Sequence, residues 1–245
     1  MDLHGKVALV TGGAVRVGKA IALALADAGA DIAFSYNSSA GPAVETAAEI
    51  EALGRRVFYT RADMGLVTEA KALVEAAVAH LGRLDVLVNS ASLWQKTPFA
   101  ELNEAEWDRV YNIMVKGTAF TAHAAAPYLA AHGDGAIINI IDRSAYVPFR
   151  NFMAHSAGKA GVLNLTHSLA QELAPAVRVN AIAPGPVLPP PGYTEQQTAS
   201  TARRTLLGRW GTAEDVAEAV RFLAQANYIT GAMIYVDGGE HLAWG

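Results

Sequence analysis

The stretch KVALVTGGAVRVGKA, residues 6–20, joins an unbroken apolar run to a glycine turn and then to a helical segment. An apolar run without alternation is what a parallel strand covered on both faces requires. Gly12, Gly13 and Gly18 permit a tight turn and a close backbone approach. The order strand, glycine turn, helix sets the helix N-terminus where a pyrophosphate is held. Working outward, the same alternation repeats. Apolar runs at 6–10, 31–35, 56–60, 85–89, 136–141, 177–183 and 232–237 are separated by helical stretches at 19–28, 43–53, 68–80, 104–131, 152–173 and 213–225. Gly29 and Gly54 stand where a helix needs a closing residue. The pattern specifies an α/β class: one Rossmann-type domain over 1–245, a doubly wound seven-stranded parallel sheet with helices on both faces. PGPVLPPPGYT, 184–194, is too rich in proline for a helix or central strand and reads as a loop.

Composition narrows the function. Hydrophobic residues at 52% against 17% charged supply a large core and exclude a disordered chain. A net charge of −4 without a basic run leaves no electrostatic footprint for nucleic acid. No cysteine and no HExxH-like spacing occur, so no disulfide and no metal are expected. The run VALV is shorter than the roughly 7–15 residues of a signal core. No apolar stretch approaches the roughly 20 residues of a membrane span. The expectation is a cytoplasmic protein acting on a small molecule.

Taken together, these segments resemble the short-chain dehydrogenase/reductase family over nearly the whole chain. TGGAVRVG, 11–18, matches its Thr-Gly-x-x-x-Gly-x-Gly motif, with Arg16 where the middle glycine belongs. Arg at that point looks like the pteridine reductase branch, including dihydromonapterin reductases. Asp63-Met64 stands where the family contacts adenine. NSAS, 89–92, stands for Asn-Asn-Ala-Gly, with Ser92 in the pteridine reductase form. RVNAIAPGPV, 178–187, matches the segment beside the nicotinamide, and VDGGEHL, 236–242, the C-terminal segment. The resemblance implies a cofactor site made from Gly12, Arg16, Val17, Gly18, Tyr36, Asn37, Ser38, Ser39, Asp63, Met64, Asn89, Ala91, Lys159, Pro184, Gly185 and Val187. It also implies a homotetramer or homodimer paired through the helices at 104–131 and 152–173.

The second strand ends in SYNSSAG, 35–41, with no acid to repel a ribose 2′-phosphate. Arg16 offers charge-assisted hydrogen bonds, and Asn37, Ser38 and Ser39 offer neutral ones. The cofactor expected is NADP(H). Ser38 departs from pteridine reductases, which often carry a second basic residue there.

The resemblance implies a Ser, Tyr, Lys and Asn constellation, in which Tyr delivers a proton after hydride transfer. Lys159 is intact. The Tyr position holds His155, one helical turn earlier and on the same face. The Ser position holds Asp142, as in pteridine reductases, and the Asn position falls at Met114. An imidazolium is a competent general acid. Lys159 opposes the charged imidazole and Asp142 favours it. The catalytic set expected is Asp142, His155 and Lys159, with Asp142 or a water it holds as the alternative donor. Trp94 stands where pteridine reductases stack the pterin. Ser92, Tyr146, Phe149 and the loop 187–193 with Tyr193 are expected to close the pocket, stiffened by prolines 189–191. Three readings stand: a reductase of a dihydropterin-like C=N or carbonyl compound, a ketone or sugar reductase, and an NADP(H)-binding protein with little turnover. Dihydropterin-dependent NADPH oxidation separates the first two; binding without turnover marks the third.

Overall fold

The unbroken apolar run becomes β1 (Val7–Thr11), buried along its whole length in the computed structural model, which describes residues 1–190 and 192–243. The other apolar runs form β2 (Asp31–Tyr36), β3 (Val57–Arg61), β4 (Val86–Asn89), β5 (Gly135–Ile140), β6 (Val177–Pro184) and β7 (Met233–Val236). They make one sheet in the order β3-β2-β1-β4-β5-β6-β7, and every neighbouring pair is parallel. The expected seven-stranded doubly wound sheet is therefore present. The chain reverses its direction of travel across the sheet between β1 and β4. Ligands of such sheets bind beyond the carboxyl ends of the strands at that switch point.

Among the described residues, eight α-helices flank the sheet: α1 (Arg16–Asp27), α2 (Ala40–Ala52), α3 (Val67–Leu81), α4 (Glu104–Tyr111), α5 (Gly117–Ala130), α6 (Met153–Leu173), α7 (Glu195–Ala202) and α8 (Ala213–Gln225). Alternation along β1 divides the core. Ala8 and Val10 pack with Ile21 and Leu25 of α1 and Val216 and Val220 of α8. Val7 and Leu9 pack with Leu73 and Val74 of α3 and Ala122 and Leu129 of α5. Each fully buried Leu or Ile contributes about 1.5–3 kcal/mol.

Three local expectations change. The first helix starts at Arg16, not 19, so the glycine turn is tighter than its composition suggests. The helix expected over 104–131 is interrupted: a π-helical turn (Asn112–Lys116) separates α4 from α5. Just after it, Gly117 lies so close to the loop after β3 that a Cβ would come within 2.4 Å of the Met64 carbonyl oxygen. The helix α7 was not anticipated, although Thr194 and Gln197 form a reciprocal capping box at its start. Pro191 lies outside the described residues, so the stiffening expected of the three prolines falls partly there.

Candidate active site

Beyond β1 the glycine turn crosses to the neighbouring strands through short polar links. Thr11 Oγ1 accepts from the backbone N–H groups of Ser90 and Ala91, each at 3.0 Å, tying the turn to the loop after β4. Ser35 Oγ accepts from Gly12 N at 3.2 Å, tying it to β2. A Cβ on Gly18 would lie 2.1 Å from the Gly12 carbonyl oxygen, and one on Gly13 would lie 2.6 Å from Phe34 Cβ. Only glycine permits this turn. It forms one wall of a cavity of about 430 Å³.

That cavity gathers Gly12, Arg16, Val17, Gly18, Tyr36, Asn37, Ser38, Ser39, Asp63, Met64, Ala91 and Ser92 from the expected site. Arg109 and Ile113 also line it, from α4 and the π-helical turn. Nothing in their local sequence signals this; only the packing of that helix beside the β4 loop brings them in. Asn89, Lys159, Pro184, Gly185 and Val187 do not line it. Asn89 is an interior link: its side-chain N–H donates to Asn139 Oδ1 at 2.9 Å, and Asn139 donates on to Thr166. Val187 lines a second cavity, near the end of β7.

Arg16 has φ +53, in the left-handed region that disfavours residues with a Cβ. Its guanidinium donates to the carbonyls of Leu188 and Pro189 at 3.3 and 3.5 Å. The expected phosphate ligand is thus engaged with the proline-rich loop.

The end of β5 and the first turns of α6 bring Asp142, His155 and Lys159 together. His155 Nε2 lies 2.8 Å from Asp142 Oδ2, and His155 Nδ1 lies 3.0 Å from the Leu93 carbonyl, both within hydrogen-bond distance. A carbonyl and an ionised carboxylate only accept, so both bonds are made together when the ring carries two protons. His155 is 2% exposed, and both its nitrogens are occupied within the protein. Asp142, with its side chain 20% exposed, is the more open member of the pair. Its Oδ1 accepts from Ser144 N at 2.7 Å and Ser144 Oγ at 2.5 Å. Burial pushes the Asp142 carboxyl up, but the His155 hydrogen bond, the Lys159 charge and Ser144 outweigh it and hold it at about 2. Lys159 Nζ donates to the Ile140 carbonyl at 2.9 Å. Burial lowers the Lys159 ammonium, against the raising pull of Asp142.

A family model described as enoyl-(acyl carrier protein) reductase matches residues 13–241. The chain is 37% identical to 2-dehydro-3-deoxy-D-gluconate 5-dehydrogenase of Escherichia coli K12, over 97% of this chain and 96% of that protein. It is 36% identical to a 3-oxoacyl-(acyl-carrier-protein) reductase of Staphylococcus aureus, over 97% and 98%. A short chain dehydrogenase from Burkholderia cenocepacia, solved with NADP, superposes with a TM-score of 0.92 at 33% identity, over 98% of this chain and 100% of that one. The chain belongs to the short-chain dehydrogenase/reductase family. A blue fluorescent protein from a metagenomic library, solved with NADPH, gives 0.92 at 34% identity, over 98% and 99%.

In this short-chain dehydrogenase/reductase the expected substrate residues scatter. Trp94 lies over His155, its ring 4.2 Å from Phe152 and edge-on to His155 at 4.9 Å, with 52% of it exposed. Its loop is fastened to α6 by Thr97, whose Oγ1 accepts from Ala154 N at 3.0 Å. Tyr146 instead edges against Tyr235 of β7 at 5.3 Å and packs with Ile141 and Val162. Its hydroxyl is buried with no hydrogen-bond partner among the described residues. Burial, then Tyr235 and Asp237, push that hydroxyl well above the ordinary range. Tyr193 edges against Trp210 at 6.4 Å. Met114 is buried against Val110 and Ala154, an apolar end to the constellation. Among the described residues no helix is long and apolar enough to cross a membrane.

Proposed function

We propose that the chain is one NADP(H)-binding domain that reduces the C=N or C=O group of a small molecule, with a dihydropterin as the first substrate to test. The observation that carries this reading is the 2.8 Å bond from Asp142, after β5, to His155, one turn before Lys159 on α6 and beside the Trp94 ring. The cavity residues fit the cofactor. The glycine turn is a cradle that any Cβ at Gly18 would fill, and no acid stands among Asn37, Ser38 and Ser39. The turn and the start of α1 would hold the pyrophosphate, Asn37–Ser39 the ribose, Asp63, Met64 and Ile113 the adenine, and Lys159, Pro184, Gly185 and Val187 the nicotinamide end. When bound, NADPH supplies the hydride.

The protein's own part is a proton and a surface. His155 and Ser144 hold the Asp142 carboxylate as an acceptor at the open side of the pair, where a water it binds would hand the proton to the substrate. The half-exposed Trp94 ring offers a flat face to a planar heterocycle. Protonating a ring nitrogen does not require an alkoxide to be stabilised, which suits a site whose His155 nitrogens are both engaged. The names of the relatives favour a second reading, reduction or oxidation at a carbonyl of a keto acid or keto sugar. The engaged His155 favours a third, a protein that holds NADP(H) with little turnover. The placement is cytoplasmic, and α4, α5 and α6 pair subunits into a homotetramer or homodimer. Exposed Phe120 and Tyr128 on α5 support that interface, and light scattering tests it.

The test is NADPH oxidation by wild type and His155→Tyr with dihydropterin and with 3-oxo compounds, across about pH 5–9. Turnover of dihydropterin alone supports the first reading, and turnover of 3-oxo compounds alone the second. Binding without turnover in wild type, with activity gained by the tyrosine variant, establishes the third.

A further inference from the structure

Arg16 is the basic residue that the sequence offers to a ribose 2′-phosphate, and its guanidinium is already committed to the proline-rich loop. Neighbouring strands lie about 4.8 Å apart. β2 adjoins β1 on one side, whereas β6 lies three strands away on the other. Arg16 opens α1 directly after β1, yet its guanidinium donates to Leu188 and Pro189, in the loop that follows β6. It lines the same cavity as the turn at 37–39 that follows β2, but its guanidinium is engaged with the loop after β6.

Another arginine stands at that turn. Arg61 ends β3 and pairs in register with Tyr36. Its Nε donates to the Asn37 carbonyl at 3.2 Å and its Nη2 to Asn37 Oδ1 at 3.4 Å. Asn37 lines the cavity with Ser38 and Ser39. Other arginines nearby are committed to carboxylates: Arg56 to Asp31 and Arg83 to Asp85. Arg61 forms no ion pair among the described residues, and it is exposed, beside the cavity and not in its lining, with Asn37 between. Two contacts to Asn37 hold its planar fork in place, so little side-chain freedom is left to lose on binding.

We propose that Arg61, not Arg16, is the residue that selects the 2′-phosphate of NADP(H). This rests on the cofactor reading above. Arg61 takes the part of the basic residue missing at Ser38, reaching the same turn from the next strand. Arg16 serves the proline-rich loop. Arg109, which lines the cavity from α4, is the competing cation.

The test is calorimetric binding of NADP⁺, NAD⁺ and 2′,5′-ADP to the full chain at about 0.1 M salt, where charges are screened over about 10 Å. Arg61→Gln keeps an N–H for the Asn37 carbonyl and removes the charge, so it separates recognition from positioning. Arg61→Gln should weaken NADP⁺ and 2′,5′-ADP on the order of tenfold, as expected for one charge-assisted contact at an exposed site. NAD⁺ should stay within about twofold, and Arg109→Ala should leave the ratio of the two dinucleotides unchanged. Equal weakening of both dinucleotides by Arg61→Gln overturns the proposal, as does no weakening of either. So does a ratio that follows Arg109 instead. Failure of wild type to bind either dinucleotide overturns the cofactor reading, and the proposal with it. NADP⁺ binding that ignores Arg61→Gln removes Arg61 alone. Unchanged thermal melting of each variant shows that the edge strand remains folded.

Discussion

Replacing His155 by leucine tests the hydrogen-bonded His155–Asp142 pair at the centre of the site. The change removes the donor to Asp142 Oδ2 and the donor to the Leu93 carbonyl. A hydrogen bond to a charged group contributes about 1.5–3 kcal/mol and a neutral one about 1 kcal/mol. Breaking a buried pair costs about 3–5 kcal/mol because one charge is left behind. Asp142 keeps Ser144 and has some access to water, which places the expected loss near the lower end, about 3 kcal/mol. Urea unfolding at fixed protein concentration, followed by tryptophan fluorescence, measures it. The cycle with Asp142→Asn is the sharper readout, since the double variant no longer strands a carboxylate. The double loss should fall short of the summed single losses by at least about 1 kcal/mol. Additivity within about 0.5 kcal/mol would refute a coupled pair. The pH dependence has a definite sign. Asp142 sits at about 2 in the fold against an ordinary 3.8, so its contribution is whole above pH 3.8 and is lost as pH falls toward 2. At roughly 1.4 kcal/mol per unit this is about 2 kcal/mol in wild type. It should shrink in His155→Leu, where the chief lowering influence is gone.

Further outcomes follow from the turn and the loop. Arg16→Gly should be more stable than Arg16→Ala by about 1 kcal/mol in the same assay, because φ +53 suits glycine alone. The opposite order, usual inside helices, would show that the residue is unstrained. Gly18→Ala should weaken NADP⁺ by more than about tenfold in calorimetry, since its Cβ would meet the Gly12 carbonyl at 2.1 Å and the turn must shift. Near-wild-type affinity would place the pyrophosphate elsewhere. Thr97→Val removes the acceptor for Ala154 N and should cost about 1–3 kcal/mol in urea unfolding, because that N–H is buried. A loss below about 0.5 kcal/mol would mean that the Trp94 loop is not fastened there.

The strands and the glycine turn were legible because their signals are local. An apolar run without alternation must be covered on both faces, and a turn with three glycines between strand and helix has few other uses. The pairing of His155 with Lys159 was legible too, since four residues make one turn of helix. Element boundaries were less so. The π-helical turn at 112–116 carries no local signal in the sequence, and α7 hides behind a proline-rich segment although its capping box was present in TEQQ.

What the sequence by itself determined is the order of strands and helices, the glycine cradle, and the bringing of positions 155 and 159 onto one face. Those depend on backbone dihedrals and on which residues a strand or helix must bury. Tertiary structure alone decided what the long and polar side chains meet. Asn89 faces Asn139 because β4 and β5 are neighbours in register, and Leu93 supplies a carbonyl to His155 because its loop folds over α6. Arg16 turns toward the loop after β6 and Arg61 toward the turn after β2. A flexible side chain reaches several ångströms, so its partner is set by the sheet order and the packing around it, which no run of neighbouring residues encodes.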